Sequence, residues 1–179
     1  MMQSLDVSAN HHRACERFSA IVAQGEGRWA NSSPCPEWDA RSVVEHLVEN
    51  YNNLLLRPTG AEPVGPSDDP IARWAAAVDA STGATDPAAL PEFDLDGLLS
   101  ALTGEVLIHS WDLAKALGVD PHLDAELCAA TYGNMHAHED KVRASGLFHA
   151  GVSVPTNADP VTQLIAFAGR DPEWTPRAS

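Results

Sequence analysis

Two stretches of this chain carry residues whose types and spacing suit metal chemistry. In GLLSALTGEVLIHSWDLAKALG, residues 97–118, the positions Leu98, Leu102, Glu105, His109, Leu113 and Ala116 recur at steps of three and four, so they share one helix face. Two members of that otherwise apolar stripe are ionisable. A buried carboxylate is costly unless something positive meets it, and no Lys or Arg lies within reach on this helix. A divalent ion would satisfy both side chains, and their i,i+4 offset stacks them one turn apart, as chelation needs. The alternative is a rotated face, with Glu105 half-exposed and His109 a satisfied core histidine.

The second stretch is RSVVEHLVENYNNLLL, residues 41–56, in which His46 lies beside or on the stripe of Val43, Leu47, Asn50 or Tyr51, and Leu54. A lone histidine there is by itself a common core residue. Beside Glu105 and His109 it completes a set of two imidazoles and one carboxylate. Three protein ligands leave positions open for water or substrate, as catalytic metal sites do. Asn50, one turn beyond His46, could hydrogen-bond a bound ligand or be a satisfied core polar group. Arg143 could meet an anionic substrate or pair with a surface acid. Asp112, one turn on from His109, could act on it but rotates off the stripe. His11 or His12 could face the interior. His138 is the more inward of the pair His136 and His138, although a surface place suits both. Cys15 and Cys128 read as small core residues. Cys35 has no CxxC partner to support a zinc role.

These residues need helices to position them. Apolar periodicity predicts helices over 5–23, 40–56, 97–117 and 122–141, with shorter ones near 70–80 and 160–168. Asp39 is placed to cap the second, Trp38 to staple onto it, and Gly118 to end the helix of the Glu105 stripe. Pro34 and Pro36 exclude regular structure just upstream of Asp39. Residues 57–69 and 81–96 read as loops. The best strand candidate is VSVP at 152–155. Four long helices joined short–long–short predict an all-α four-helix bundle with a long crossover, residues 57–96. The crossover lets the second and third long helices lie side by side.

Composition bounds the function. The chain has 179 residues, the size of a single domain. Its 11 basic against 25 acidic residues give a net charge of −14, which argues against nucleic acid and against an anionic membrane surface. No apolar run is long enough for a membrane span, and the polar N-terminus is not that of a secretory signal. Three scattered cysteines read as free thiols in a reducing cytoplasm.

The segments PCPEWDARSVVEHLVE, TGEVLIHSWDLAKALG and FHAGVSVPTNADPVTQLIAFAGRDPEW occur in that order. Together they resemble the actinobacterial metal-binding proteins related to the N-terminal domain of mycothiol-dependent maleylpyruvate isomerase, within the wider DinB-like superfamily. The resemblance implies a DinB-like bundle holding a divalent metal through a histidine on the second helix and an E-x-x-x-H pair on the third. Carried onto this chain, those ligands are His46, Glu105 and His109. Zinc is the expected metal, with nickel, iron and manganese as alternatives, and mycothiol is the implied thiol. The isomerase carries a further C-terminal domain for which residues 142–179 are too few, so its isomerisation is not expected here. The implied function is metal-dependent S-transfer between a small thiol and an electrophile. The alternatives are a non-catalytic metal or small-ligand binding protein and a metal-dependent hydrolase. The resemblance also implies a homodimer.

Overall fold

The computed structural model describes residues 6–85 and 93–176. It contains α1 (Val7–Val22), α2 (Ala40–Tyr51), a π-helical turn (Asn52–Leu56), α3 (Pro70–Ala84), α4 (Leu95–Leu117), α5 (Ala125–Ala137), α6 (Glu139–Ala144) and α7 (Pro160–Phe167). The fold is all-α. Among the described residues the sole β-type pairing is an isolated bridge between Ser32 and Asp39, so the stretch at 152–155 is not a strand. Among them, too, no helix is long and apolar enough to cross a membrane.

Aspartates start these helices. Asp6, Asp39, Asp69, Asp94, Asp124 and Asp159 each accept a hydrogen bond from a first-turn amide of α1, α2, α3, α4, α5 and α7 respectively. Each such cap stabilises its helix by about 1 kcal/mol, and the carboxylate also complements the positive end of the helix dipole. Part of the acidic excess therefore has a local structural use. Gly118 ends α4 in the left-handed conformation, φ +68°, where a side chain would be strained. Arg28 and Asn31, from the segment between α1 and α2, donate to the Leu117 and Ala116 carbonyls that α4 leaves open.

α4 is the central helix, with α1 and α2 packed along it and side by side with α2 as expected. The core joins Phe18 of α1, Leu47 of α2, Trp74 of α3 and Leu102 and Leu113 of α4, all almost wholly buried. Trp74 meets the Phe18 ring edge-on at 4.7 Å and the Tyr51 ring at 5.5 Å. Two details depart from the periodicity. First, the crossover is not all loop: α3 runs on to Ala84 and packs against α1 and α2, because the Ala-rich segment 75–84 lacks a breaker before Gly83. The remaining crossover residues 86–92 lie outside the described residues, as does Leu5 in the first predicted helix. Second, the helix expected over 122–141 breaks at His138 (φ −117°, ψ 28°) into α5 and α6, and α5 packs mainly on α7.

A buried polar chain ties α1, α2 and α4 together. The Thr103 hydroxyl donates to the Leu99 carbonyl at 2.6 Å, so its oxygen accepts from His11 Nδ1 at 3.0 Å. His11 Nε2 is then left to accept from the Tyr51 hydroxyl at 2.7 Å, and Tyr51 in turn accepts from the Cys15 thiol at 3.1 Å. Burial pushes the Cys15 thiol up to about 11, so it is a hydrogen-bond donor here and not a nucleophile.

Candidate metal centre

α2 and α4 bring His46, Glu105 and His109 together. One nitrogen or oxygen from each lies within 4.8 Å of the others. His46 Nε2 and His109 Nε2 both approach the same carboxylate oxygen, Glu105 Oε2, at 3.5 Å. The two imidazole rings meet edge-on at 4.9 Å. The burial is graded: the His109 side chain is 5% exposed, Glu105 19% and His46 33%, so the cluster is closed behind and open in front. Two imidazole nitrogens and a carboxylate oxygen converging from one side suit a borderline divalent cation such as zinc.

Local structure explains the placement. Asp39 Oδ1 accepts from the Ser42 amide at 2.8 Å and its hydroxyl at 2.7 Å, which fixes the start of α2 and so the azimuth of His46. Trp38, just before the cap, is partly buried against the core, and its ring also lies 4.7 Å from His46 and 5.9 Å from His109. Asn50 Nδ2 donates to Glu105 Oε2 at 3.0 Å and lies 3.1 Å from His46 Nε2. It therefore sits beside two of the atoms that a cation would take, Glu105 Oε2 and His46 Nε2.

Behind His109 lies a second group. His109 Nδ1 donates to Asp112 Oδ2 at 2.9 Å. Asp112 is fully buried and also accepts from Arg170 Nη2 at 2.9 Å, from Arg170 Nε at 3.2 Å, and from the Cys35 thiol at 3.2 Å. Cys35, His109 and Asp112 also cluster closely enough to bind a cation. The Arg170 guanidinium, in contact with both Asp112 and Cys35 Sγ, already supplies the positive charge there. That group is therefore better described as a fixed support that holds the His109 ring by Nδ1 and turns Nε2 toward Glu105 and the open side.

The electrostatics follow from burial opposed by close partners. Burial alone would raise the Glu105 carboxyl, but hydrogen bonds and charge from His109 and His46 hold it well below the usual carboxylate range. Burial alone would lower His109, yet hydrogen bonds to Asp112, Cys35 and Glu105 raise it well above the usual histidine value. Against the same burial penalty, His109 and Arg170 lower Asp112.

The three residues open onto a cavity of about 1040 Å³, lined on this side by Trp38, His46, Asn50, Glu105 and His109, with Cys35 and Arg170 behind. Across it stand residues of α5, α6 and the segment that follows, His138 among them. Arg143 is not brought to the site. Its guanidinium donates to Glu139, to the His149 carbonyl and to the Phe167 carbonyl, tethering the segment after α6 to α7. His12 and His136 face solvent, each beside a glutamate. Cys128 is buried, and Trp111 is buried with the Lys115 ammonium over its ring. The residues missed by spacing are Cys35 and Arg170, which reach Asp112 across 77 and 58 residues. A buried Asp one turn from His109 was the available signal for them, since it needs a cationic partner.

A family model described as "mycothiol maleylpyruvate isomerase N-terminal domain" matches residues 11–114. Similar full-length relatives are the uncharacterized protein Rv0738 of Mycobacterium tuberculosis strain H37Rv and the uncharacterized protein MT0763 of strain CDC 1551. Each is 28% identical over 181 residues, covering 93% of this chain and 98% of the relative. No solved structure matches the chain.

Proposed function

The chain belongs to the mycothiol maleylpyruvate isomerase N-terminal domain family, and we propose that it is a divalent-metal-dependent thiol S-transferase whose metal is held by His46, Glu105 and His109. The observation that carries this reading is the convergence of both Nε2 atoms on Glu105 Oε2 at the floor of a large cavity. Zinc is the metal proposed, mycothiol the thiol and the cytoplasm the compartment. A divalent ion with open positions would lower the pKa of a thiol or water bound to it, supplying a nucleophile at neutral pH.

The chain's own groups do the rest. Asp112 and Arg170 hold the His109 ring, so its Nε2 does not need to reorganise on binding. Glu105 supplies the negative charge of the ligand set. Asn50 Nδ2 is within reach of both Glu105 and His46, where it can turn to donate to a bound thiol group. Trp38 packs beside both histidine rings and limits their freedom to turn. The overall reaction joins the thiol sulfur to an electrophilic carbon as the thiol proton and the leaving group depart.

The test is conjugate formation by zinc-loaded protein given mycothiol with monobromobimane or chlorodinitrobenzene. Turnover above the metal-free control, lost in His109→Ala, is expected. No turnover with metal demonstrably bound would overturn the transferase reading.

A further inference from the structure

The cavity in front of the ligands is large and uneven in character. At about 1040 Å³ it reaches the upper end of the range for a site holding one drug-sized ligand, roughly 300–1,000 Å³. From α5, α6 and the segment that follows, the lining takes Leu127, Ala130, Met135, Val142, Leu147 and Phe148, interspersed with polar residues such as Thr131, Asn134 and His138. Leu54, in the middle of the π-helical turn, also lines the space. Leu54 and Leu147 are 46% and 76% exposed, two of the four exposed large apolar side chains among the described residues, and both edge this one cavity. Such apolar exposure is costly unless something apolar covers it.

The charges around the cavity are as informative. Its lining includes just two permanently cationic side chains, Arg170 and Lys141. Arg170 is already neutralised by Asp112. Lys141 is exposed to water on α6, beside Asp140. Apart from the proposed metal, no desolvated, uncommitted side-chain cation therefore faces the interior among the described residues. The chain as a whole carries −14, so its field opposes the approach of anions. One carboxylate of a dicarboxylate could meet the metal, but the second would give up its hydration here without a buried side-chain cation to replace it.

We propose that the second substrate of this site is an uncharged, apolar electrophile, seated against Leu54, Met135, Val142, Leu147 and Phe148, and that dicarboxylates are excluded. This rests on the thiol-transfer reading for the word electrophile, while the apolar subsite itself is a matter of binding alone. Two walls divide the labour. The ligand side holds the polar reacting end, and the α5–α6 side covers the apolar body.

The experiment uses the zinc-loaded full chain and the uncharged fluorophore N-phenyl-1-naphthylamine. Saturable binding with a single site per chain is expected, displaced by chlorodinitrobenzene and not by millimolar maleate. Leu147→Asp and Leu54→Asp, both at exposed positions that tolerate charge, should each weaken binding roughly tenfold. Ile71→Asp, on an exposed apolar residue that does not line the cavity, should leave it unchanged. Absence of saturable binding, displacement by maleate, or wild-type affinity in both leucine variants would overturn the proposal. The outcome is separable from the transfer assay, because probe binding needs neither thiol nor turnover.

Discussion

Replacing Asp112 by Asn should separate the two jobs of the group behind His109. Asp112 is fully buried and accepts from His109, from two nitrogens of Arg170, and from Cys35. The amide keeps the shape but removes the charge, and its NH2 faces donors that need an acceptor. The buried Arg170, 9% exposed, is left without its counter-ion. Breaking a buried pair from one side costs about 3–5 kcal/mol. For a chain of this length that corresponds to a loss of melting temperature on the order of 10 °C. Adding Arg170→Met removes the orphaned charge, so most of the stability should return, to within about 2 kcal/mol of wild type. Zinc affinity should not return. The Nδ1 partner has lost its charge in both variants, and losing such a support costs about 10–100-fold in metal affinity. Urea denaturation gives the first quantity and chelator competition the second. The reasoning is refuted if Asp112→Asn alone costs less than about 1 kcal/mol, or if the double variant is as unstable as the sum of the single ones.

The buried chain from Cys15 to Thr103 predicts a pH dependence set by His11. Burial, with a smaller contribution from the charge of His12, holds its folded value down at about 4 against 6.5 for the free side chain. The unfolded chain therefore takes up this proton first as pH falls, and stability drops through the window from 6.5 to 4. Between pH 8 and pH 4.5 the loss assigned to His11 is about 2.5 kcal/mol. It is read as the difference in urea stability between wild type and His11→Gln, and an equal pH response of the two would contradict it. Phe18→Ala, which empties a fully buried site against Trp74, should cost about 3–5 kcal/mol in the same assay, and a loss below about 1 kcal/mol would contradict the packing described.

Local signals carried most of the fold. Apolar spacing with an aspartate in front of it marks α1, α2, α4 and α7 within two or three residues, since cap and periodicity agree. The end of α3 was underread, since the Ala-rich segment before Gly83 carries no breaker, and the break at His138 was not legible from apolar spacing. The convergence of His46, Glu105 and His109 was legible for a different reason: Glu105 and His109 interrupt an apolar stripe, on a helix expected to lie beside that of His46. The supports of His109 were legible by half. Asp112 lies one turn away, whereas Cys35 and Arg170 meet it only once the loop before α2 and the segment after α7 fold over the end of α4. Arg143 shows the converse. As a lone cation it suggested an anion site, but three oxygen acceptors from Glu139, His149 and Phe167 take up its guanidinium.

The account depends first on a metal at His46, Glu105 and His109. Elemental analysis of the purified protein, after zinc incubation and desalting, tests this directly alongside His109→Ala. About one equivalent per chain in the wild type, lost from the variant while its helical circular dichroism remains, is the result predicted. A metal-free wild type, or full retention of metal in His109→Ala, would contradict it.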